Sequence, residues 1–361
     1  MTEEPSTPWP EIVSANIRHN SKSSSVDLDT CTWYNITIRV IFGGFLVCFG
    51  MIGNGLTMVI MGKERHKSST IRMLFYLAIV DSFILIVYGT MAIPIPVLSL
   101  LGMGRVAHNM QTVSISTLAY VGQMLNQMSI FFTTIVTWQR YVSVCIPLKA
   151  KKYTSTRVTN AMTIASVVFS IAFYLPNFFQ SELVTSNGTI STVTVDFAQS
   201  SSYQMFYSVV LQYLLSYILP MIALGSMGFS LVKSLRQAKV MNVNFTKTAR
   251  VREELTLSII IVVIIFGFCQ SIGPSRRILM WIFVPYPRAV RCGGPLFFFG
   301  PWVLISLIIN STVNFIIYIL CARAFRRKVQ RLLCGINEVG PEIPSSQMTA
   351  LDRSRVLTSV I

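Results

Sequence analysis

An all-α membrane protein with seven spanning helices is the fold class this sequence predicts, with a β-hairpin in one outer loop. Three observations predict it. The 361-residue chain is 52% hydrophobic and only 12% charged, where a soluble domain carries about a quarter charged residues. Seven apolar windows, roughly 39–61, 72–98, 109–142, 158–180, 204–232, 255–284 and 297–320, reach the ~20 residues that cross ~30 Å of hydrocarbon. Lys and Arg concentrate in alternate loops. Helices are expected because the backbone of each segment has to satisfy its own polar groups inside lipid.

The basic residues set the orientation. Lys63, Arg65 and Lys67 follow the first window, Lys149, Lys151, Lys152 and Arg157 the third, and Lys233, Arg236, Lys239, Lys247, Arg250 and Arg252 the fifth. Arg323, Arg326, Arg327, Lys328 and Arg331 follow the seventh. The other side holds Arg18, Lys22 and Arg39 before the first window, Arg105 after the second and none after the fourth. Positive-inside then predicts a multi-pass plasma-membrane protein with its N-terminus outside and its C-terminus in the cytoplasm. The net charge of +16 is thus a topology signal, with anionic inner-leaflet lipid as its partner rather than nucleic acid.

This topology divides the chain into an outer tail, 1–38, a membrane domain, 39–320, and a disordered inner tail after 335. Two N-glycosylation triplets, at Asn35 and Asn187, fall outside. Two more, at Asn244 and Asn310, are unreachable. The stretch ELVTSNGTISTVTV, 182–195, places Asn-Gly between partly alternating β-branched flanks and predicts the hairpin. Of seven cysteines only Cys31 and Cys292 lie outside, so they either pair or remain free thiols. Cys334 follows a basic amphipathic stretch, as juxtamembrane palmitoylation sites do. The three histidines, His19, His66 and His108, are scattered. No nucleophile–base or metal-ligand spacing points to an enzyme. The last four residues, Thr358 to Ile361, could add a strand to a PDZ partner.

Polar residues inside a membrane are costly and mark function. They are few here: Asn54 in the first window, Asp81 in the second, Arg140 at the end of the third, and Asn310, Ser311, Asn314 and Tyr318 in the seventh. In order and spacing they resemble the rhodopsin-like (class A) G-protein-coupled receptors from about 39 to 334. GNGL, LAIVD, QRYVSVCIPL, Pro220, FGFC and NSTVNFIIY each fall where that family carries a motif. The string WQRYVSVCIPLKAKKYTS is similar to invertebrate receptors for FMRFamide-like peptides. The resemblance implies a short amphipathic eighth helix over 321–334. It implies a G-protein switch made of Gln139, Arg140, Tyr141, Asn314 and Tyr318. It also implies a polar network, with a possible sodium ion and no other cofactor, at Asn54, Asp81, Ser129, Asn310 and Ser311. A relay through Ile130, Pro220, Phe266 and Gln270 completes the set.

Departures from the family pattern carry expectations of their own. Gln139 replaces the acid that pairs with the arginine, which predicts a looser resting state, because charge-assisted bonds are roughly twice as strong as neutral ones. Phe315 replaces a proline, and Gln270 a tryptophan. Ile115 stands where the third helix carries a disulfide cysteine, and 180–203 holds none. Packing therefore has to hold the hairpin, which lends weight to a Cys31–Cys292 pair. Gly122 replaces the acid of amine receptors, and no lysine lies midway along the seventh window, so an amine receptor and an opsin are both disfavoured. Candidate pocket residues are Gln123, Asn126, Gln127, Gln212, Arg276 and Arg277, with Arg288 and Arg291 nearby. An amide-rich pocket under a hairpin fits a neuropeptide receptor that activates a heterotrimeric G protein. The four arginines leave open a chemoreceptor for a small anionic metabolite or pheromone. A non-signalling heptahelical scaffold is the third reading; a transporter would need broken helices and internal repeats, and the sequence has neither.

Overall fold

The computed structural model describes residues 28–66, 68–200, 202–240, 247–282 and 292–334. Seven long helices form the bundle. Helix α1 runs through Leu28–Asn35, a π-helical stretch Ile36–Phe42 and Gly43–Glu64. Helix α2 is Ser69–Ala92, continued past a bend by Pro94–Leu100. Helical turns at Gly104–Val113 and Ser114–Leu118 lead into α3, Ala119–Cys145. Helix α4 is Thr156–Tyr174, and α5 spans Tyr203–Gln237 with π-helical stretches in its first half. Helix α6 is Lys247–Ile282, α7 is Gly300–Cys321, and α8, Arg323–Cys334, follows.

Six of the seven are long and apolar enough to cross a membrane by themselves. The exception is α3, for a reason of position. It packs against α2, α4, α5 and α6, so it meets protein rather than lipid. Its buried Gln127, Ser129, Thr133, Thr137 and Gln139 can find partners there, whereas a lipid-facing helix could not hold them.

Close approach of α1 to α7 depends on two glycines. A Cβ at Gly50 would stand 2.5 Å from Thr312 Oγ1, and one at Gly53 2.5 Å from the Phe315 ring. Phe315, the residue that departs from the family's proline, is accommodated by Gly53. Its ring also meets Phe325 of α8, 6.2 Å between centroids.

The helix that holds the first span is already formed at Leu28, ahead of the apolar window that starts near 39, and its first turns are tied down. Cys31 is joined to Cys292 by a disulfide, Cα–Cα 5.8 Å. The Tyr34 hydroxyl donates to Phe298 O at 2.7 Å and accepts from Trp302 Nε1 at 3.0 Å. Asn35 therefore lies within the helix, its Nδ2 donating to Cys31 O at 3.1 Å. At the other end α8 starts at Arg323, since Ala322 is extended (φ −103°, ψ 95°).

The hairpin pairs β1, Ser181–Ser186, with β2, Thr189–Thr194, in antiparallel register with Ser186 opposite Thr189. The two turn residues are those the sequence predicts. Asn187 and Gly188 have φ of +50° and +75°, as a type I′ turn requires. Asn187 is exposed at the tip, whereas Asn35 is half-buried.

Candidate functional site

Polar residues that the sequence scatters over four helices meet in the bundle core. Asp81 of α2 is fully buried. Its Oδ1 accepts from Ser129 Oγ at 3.0 Å and its Oδ2 from Asn314 Nδ2 at 2.8 Å. Asn54 Nδ2 donates to the backbone carbonyl of Ser311 at 3.1 Å, which ties α1 to α7. Asn310 and Ser311 are buried beside them. A carboxylate sealed from water costs several kcal/mol unless hydrogen bonds or a cation compensate it; here two donors from α3 and α7 do so. Carboxylate, hydroxyl and amide oxygens suit a hard cation. The gap bounded by Asn54, Asp81, Asn314 and Tyr318 adjoins the network on the α8 side.

Below this network lie the switch residues. Tyr318 is buried, 5.9 Å from the Phe325 ring. Arg140 and Tyr141 are half-buried at the end of α3. The Gln139 side chain turns to α4: its Nε2 donates to Thr159 Oγ1 at 3.0 Å, and its Oε1 is buried without a hydrogen bond among the described residues.

The charges that secure this end lie instead on α8. Glu254 of α6 accepts from the Arg323 backbone N–H at 3.0 Å and pairs with Arg323 Nε at 3.2 Å. Glu64 of α1 pairs with Lys328. One carboxylate thus satisfies an orphan N–H at the N-terminus of α8 and fastens α6 to it. The sequence reading missed this pair, because nothing in the sequence aligns position 254 with position 323.

Toward the hairpin end, Asn126 of α3 and Gln270 of α6 exchange two hydrogen bonds. Asn126 Nδ2 donates to Gln270 Oε1 at 3.2 Å and Gln270 Nε2 to Asn126 Oδ1 at 2.8 Å. Gln127 donates weakly to Leu215 O, at 3.5 Å, and its Oε1 is buried without a partner among the described residues. Gln212 is buried on α5, and Gln123 lies half-buried one turn before Gln127. Two unforeseen tyrosines join α5 to α6: Tyr213 donates to Pro274 O at 2.6 Å, and Tyr217 meets Ser271 Oγ at 3.0 Å. Arg276 is exposed, about 9 Å along α6 from Gln270 at 1.5 Å per residue. The Arg277 and Cys334 side chains lie outside the described residues, as do Arg288, Arg291 and the C-terminal four.

Between the two ends, Ile130 packs with Phe266 and Leu224. Leu224 lies on α5 one turn beyond Pro220, which is buried as well, and Met221 and Met227 pack against the cluster. The absent acid at Gly122 has a steric cause: a Cβ there would stand 2.6 Å from the Tyr88 ring, which is buried against α3.

The comparisons agree with this geometry. The chain is 24% identical over 286 residues to the FMRFamide receptor of Drosophila melanogaster, covering 77% of this chain and 50% of that protein. It is 20% identical over 298 residues to the FMRFamide peptide receptor frpr-18 of Caenorhabditis elegans, covering 80% and 67%. It is 22% identical over 331 residues to somatostatin receptor type 2 of Mus musculus, covering 90% and 85%. The match thus spans about half the length of the fly relative. All three are receptors rather than enzymes. The family described as 7 transmembrane receptor (rhodopsin family) matches residues 53–318, and with that match over most of its length the chain belongs to the rhodopsin family of seven-transmembrane receptors.

Proposed function

We propose that this protein is a plasma-membrane receptor that binds a neuropeptide at the hairpin end and activates a heterotrimeric G protein at the α8 end. The observation that carries the reading is the buried polar path through the bundle. It starts at the Asn126–Gln270 amide pair, passes Asp81 with Ser129 and Asn314, and ends at Tyr318 and Arg140. Buried polar groups in a membrane are retained for function, and these connect the helix that would meet the ligand with the one that would meet the G protein. A peptide rich in amides competes for the Asn126–Gln270 pair. Once that pair opens, α6 loses one tie to α3 and its inner end can leave α8. Sodium would be held by Asp81 with Ser129, Asn310 and Ser311, stabilising the resting arrangement. The basic face of α8 rests on anionic lipid, and the C-terminal tail offers a PDZ motif.

A second reading, a small anionic ligand, is favoured by Arg39, whose Nε is buried without a hydrogen bond among the described residues. The test is signalling in cells that express the chain with promiscuous G proteins, challenged with amidated-peptide and anionic-metabolite libraries, beside Arg140→Ala. A peptide response lost in Arg140→Ala is the expected result. A metabolite response would replace the ligand class, and silence with surface expression intact would favour a scaffold.

A further inference from the structure

The hairpin and the outer part of the third helical run line an open pocket of ≈ 200 Å³, formed by Ile115, Ser116, Tyr120, Gln180, Ser181, Thr192 and Thr194. Its volume corresponds to roughly seven water molecules at ~30 Å³ each, enough for one amino-acid-sized group. Its chemistry is uniform. Six of the seven lining residues offer a hydroxyl or a carboxamide, and none is a carboxylate, ammonium, guanidinium or imidazole. A charge placed here would lose water without gaining a counter-ion.

Gln180 gives the cavity a polarity. Its Nε2 donates to Tyr203 Oη at 2.9 Å and to Asn177 Oδ1, so the amide nitrogen is committed outside the cavity. The carbonyl Oε1 remains as an acceptor, and among the described residues no donor reaches it. A group that enters must therefore bring an N–H or O–H for Gln180. It can also take a hydrogen bond from the hydroxyls of Ser181, Thr192 or Thr194, whereas the Ser116 hydroxyl already donates to Thr112 O at 2.9 Å. A primary carboxamide does both, whereas a carboxylate has no donor and would face the Gln180 oxygen with a like charge.

The walls are preformed. Ser181 stands opposite Thr194 in the ladder, and residues two apart share a face, so Ser181, Thr192 and Thr194 present one face. The hairpin tip is held by one residue of the Gly104–Val113 helix. Asn109 Nδ2 donates to Gly188 O at 2.9 Å, and its Oδ1 accepts from Ile190 N–H at 2.9 Å. No bond joins Ile115 to the hairpin, and the space between them is the cavity.

We infer that this cavity is a ligand subsite for an uncharged carboxamide-bearing group. This deepens the peptide reading and rests on it for the identity of the natural ligand, an amidated peptide whose terminal amide would enter here. The test separates the two. Full-length receptor carrying Thr192→Cys is reacted in membranes with N-ethylmaleimide, with the parent chain as background, and labelling at position 192 is followed by mass spectrometry. N-acetyl-phenylalaninamide at millimolar concentration is expected to slow labelling about tenfold, the effect of roughly nine times its Kd, and the free acid to leave it unchanged. Ser116→Phe, which fills the cavity from the opposite wall, is expected to abolish the amide's protection. Thr194→Cys serves if Thr192→Cys fails to reach the surface. Equal protection by amide and acid, or none by either, overturns the subsite even if Phe-Met-Arg-Phe-amide drives signalling. Protection by the amide in a receptor that ignores that peptide upholds the subsite and removes the peptide reading instead.

Discussion

The hairpin end and the α8 end of the bundle solve one problem, holding helices together at the membrane boundary, by different chemistry. At the hairpin end the ties are covalent or neutral. The Cys31–Cys292 disulfide fastens α1 to the segment before α7, Asn109 clasps the hairpin tip, and Asn126 and Gln270 exchange amide bonds. At the α8 end one neutral bond, Gln139 to Thr159, is joined by ionic ties, Glu64 with Lys328 and Glu254 with Arg323. A disulfide does not open on a signalling timescale, whereas an ion pair with one partner mostly exposed is worth little and exchanges readily with water. The hairpin end is stapled, and the α8 end is latched.

This contrast can be broken at either end. Removing the staple, by Cys31→Ser or Cys292→Ser, has the largest expected effect. The bridge closes a sequence separation of 261 residues, and its loss is expected to cost about 2–5 kcal/mol, read as a fall in the thermal midpoint of purified receptor. An unchanged midpoint would mean that Tyr34 and its aromatic neighbours carry the docking of α1. Asn109→Ala comes next. It removes two hydrogen bonds, each worth about 0.5–1.5 kcal/mol, and hydrogen exchange at the Ile190 amide is expected to accelerate roughly tenfold or more. Glu254→Gln tests the latch. The Arg323 side chain is 62% exposed, so the screened pair and the backbone bond together contribute about 1 kcal/mol. Ligand-free signalling is expected to rise a few-fold, and Arg323→Ala to raise it less, because the backbone bond survives. Gln139→Glu has the smallest expected effect, a fall of less than about twofold in ligand-free output, since the side chain bonds Thr159 and one hydrogen bond changes type. A larger fall would show that a carboxylate there can turn to Arg140 and restore a latch on α3.

The fold was legible because it is written in local terms. Seven apolar windows and the alternating Lys/Arg loops follow from the solvent, and the Asn187-Gly188 turn follows from backbone conformations that few residues adopt. The candidate site was legible in its members: Asp81, Ser129 and Asn314 are named by motif spacing, and the structure brings them within hydrogen-bond distance. Pairings between distant positions were not legible. Nothing in the sequence assigns Thr159 to Gln139, Arg323 to Glu254, Asn109 to the hairpin tip, or Leu224 to the cluster with Ile130 and Phe266. Each depends on helix rotation and on which π-helical or bent stretches shift the phase, and an error of one residue turns a side chain by about 100°.

By itself, then, the sequence determined how many helices cross the membrane, which polar residues they bury and which two outer cysteines are available to pair. Composition and periodicity answer to lipid and water, which act on every residue alike. The tertiary structure alone decided which buried amide meets which, where the ionic ties fall and where a cavity opens beside Ile115. Those outcomes depend on distances of a few ångströms between residues up to 264 positions apart, and such distances are set only when all seven helices have packed.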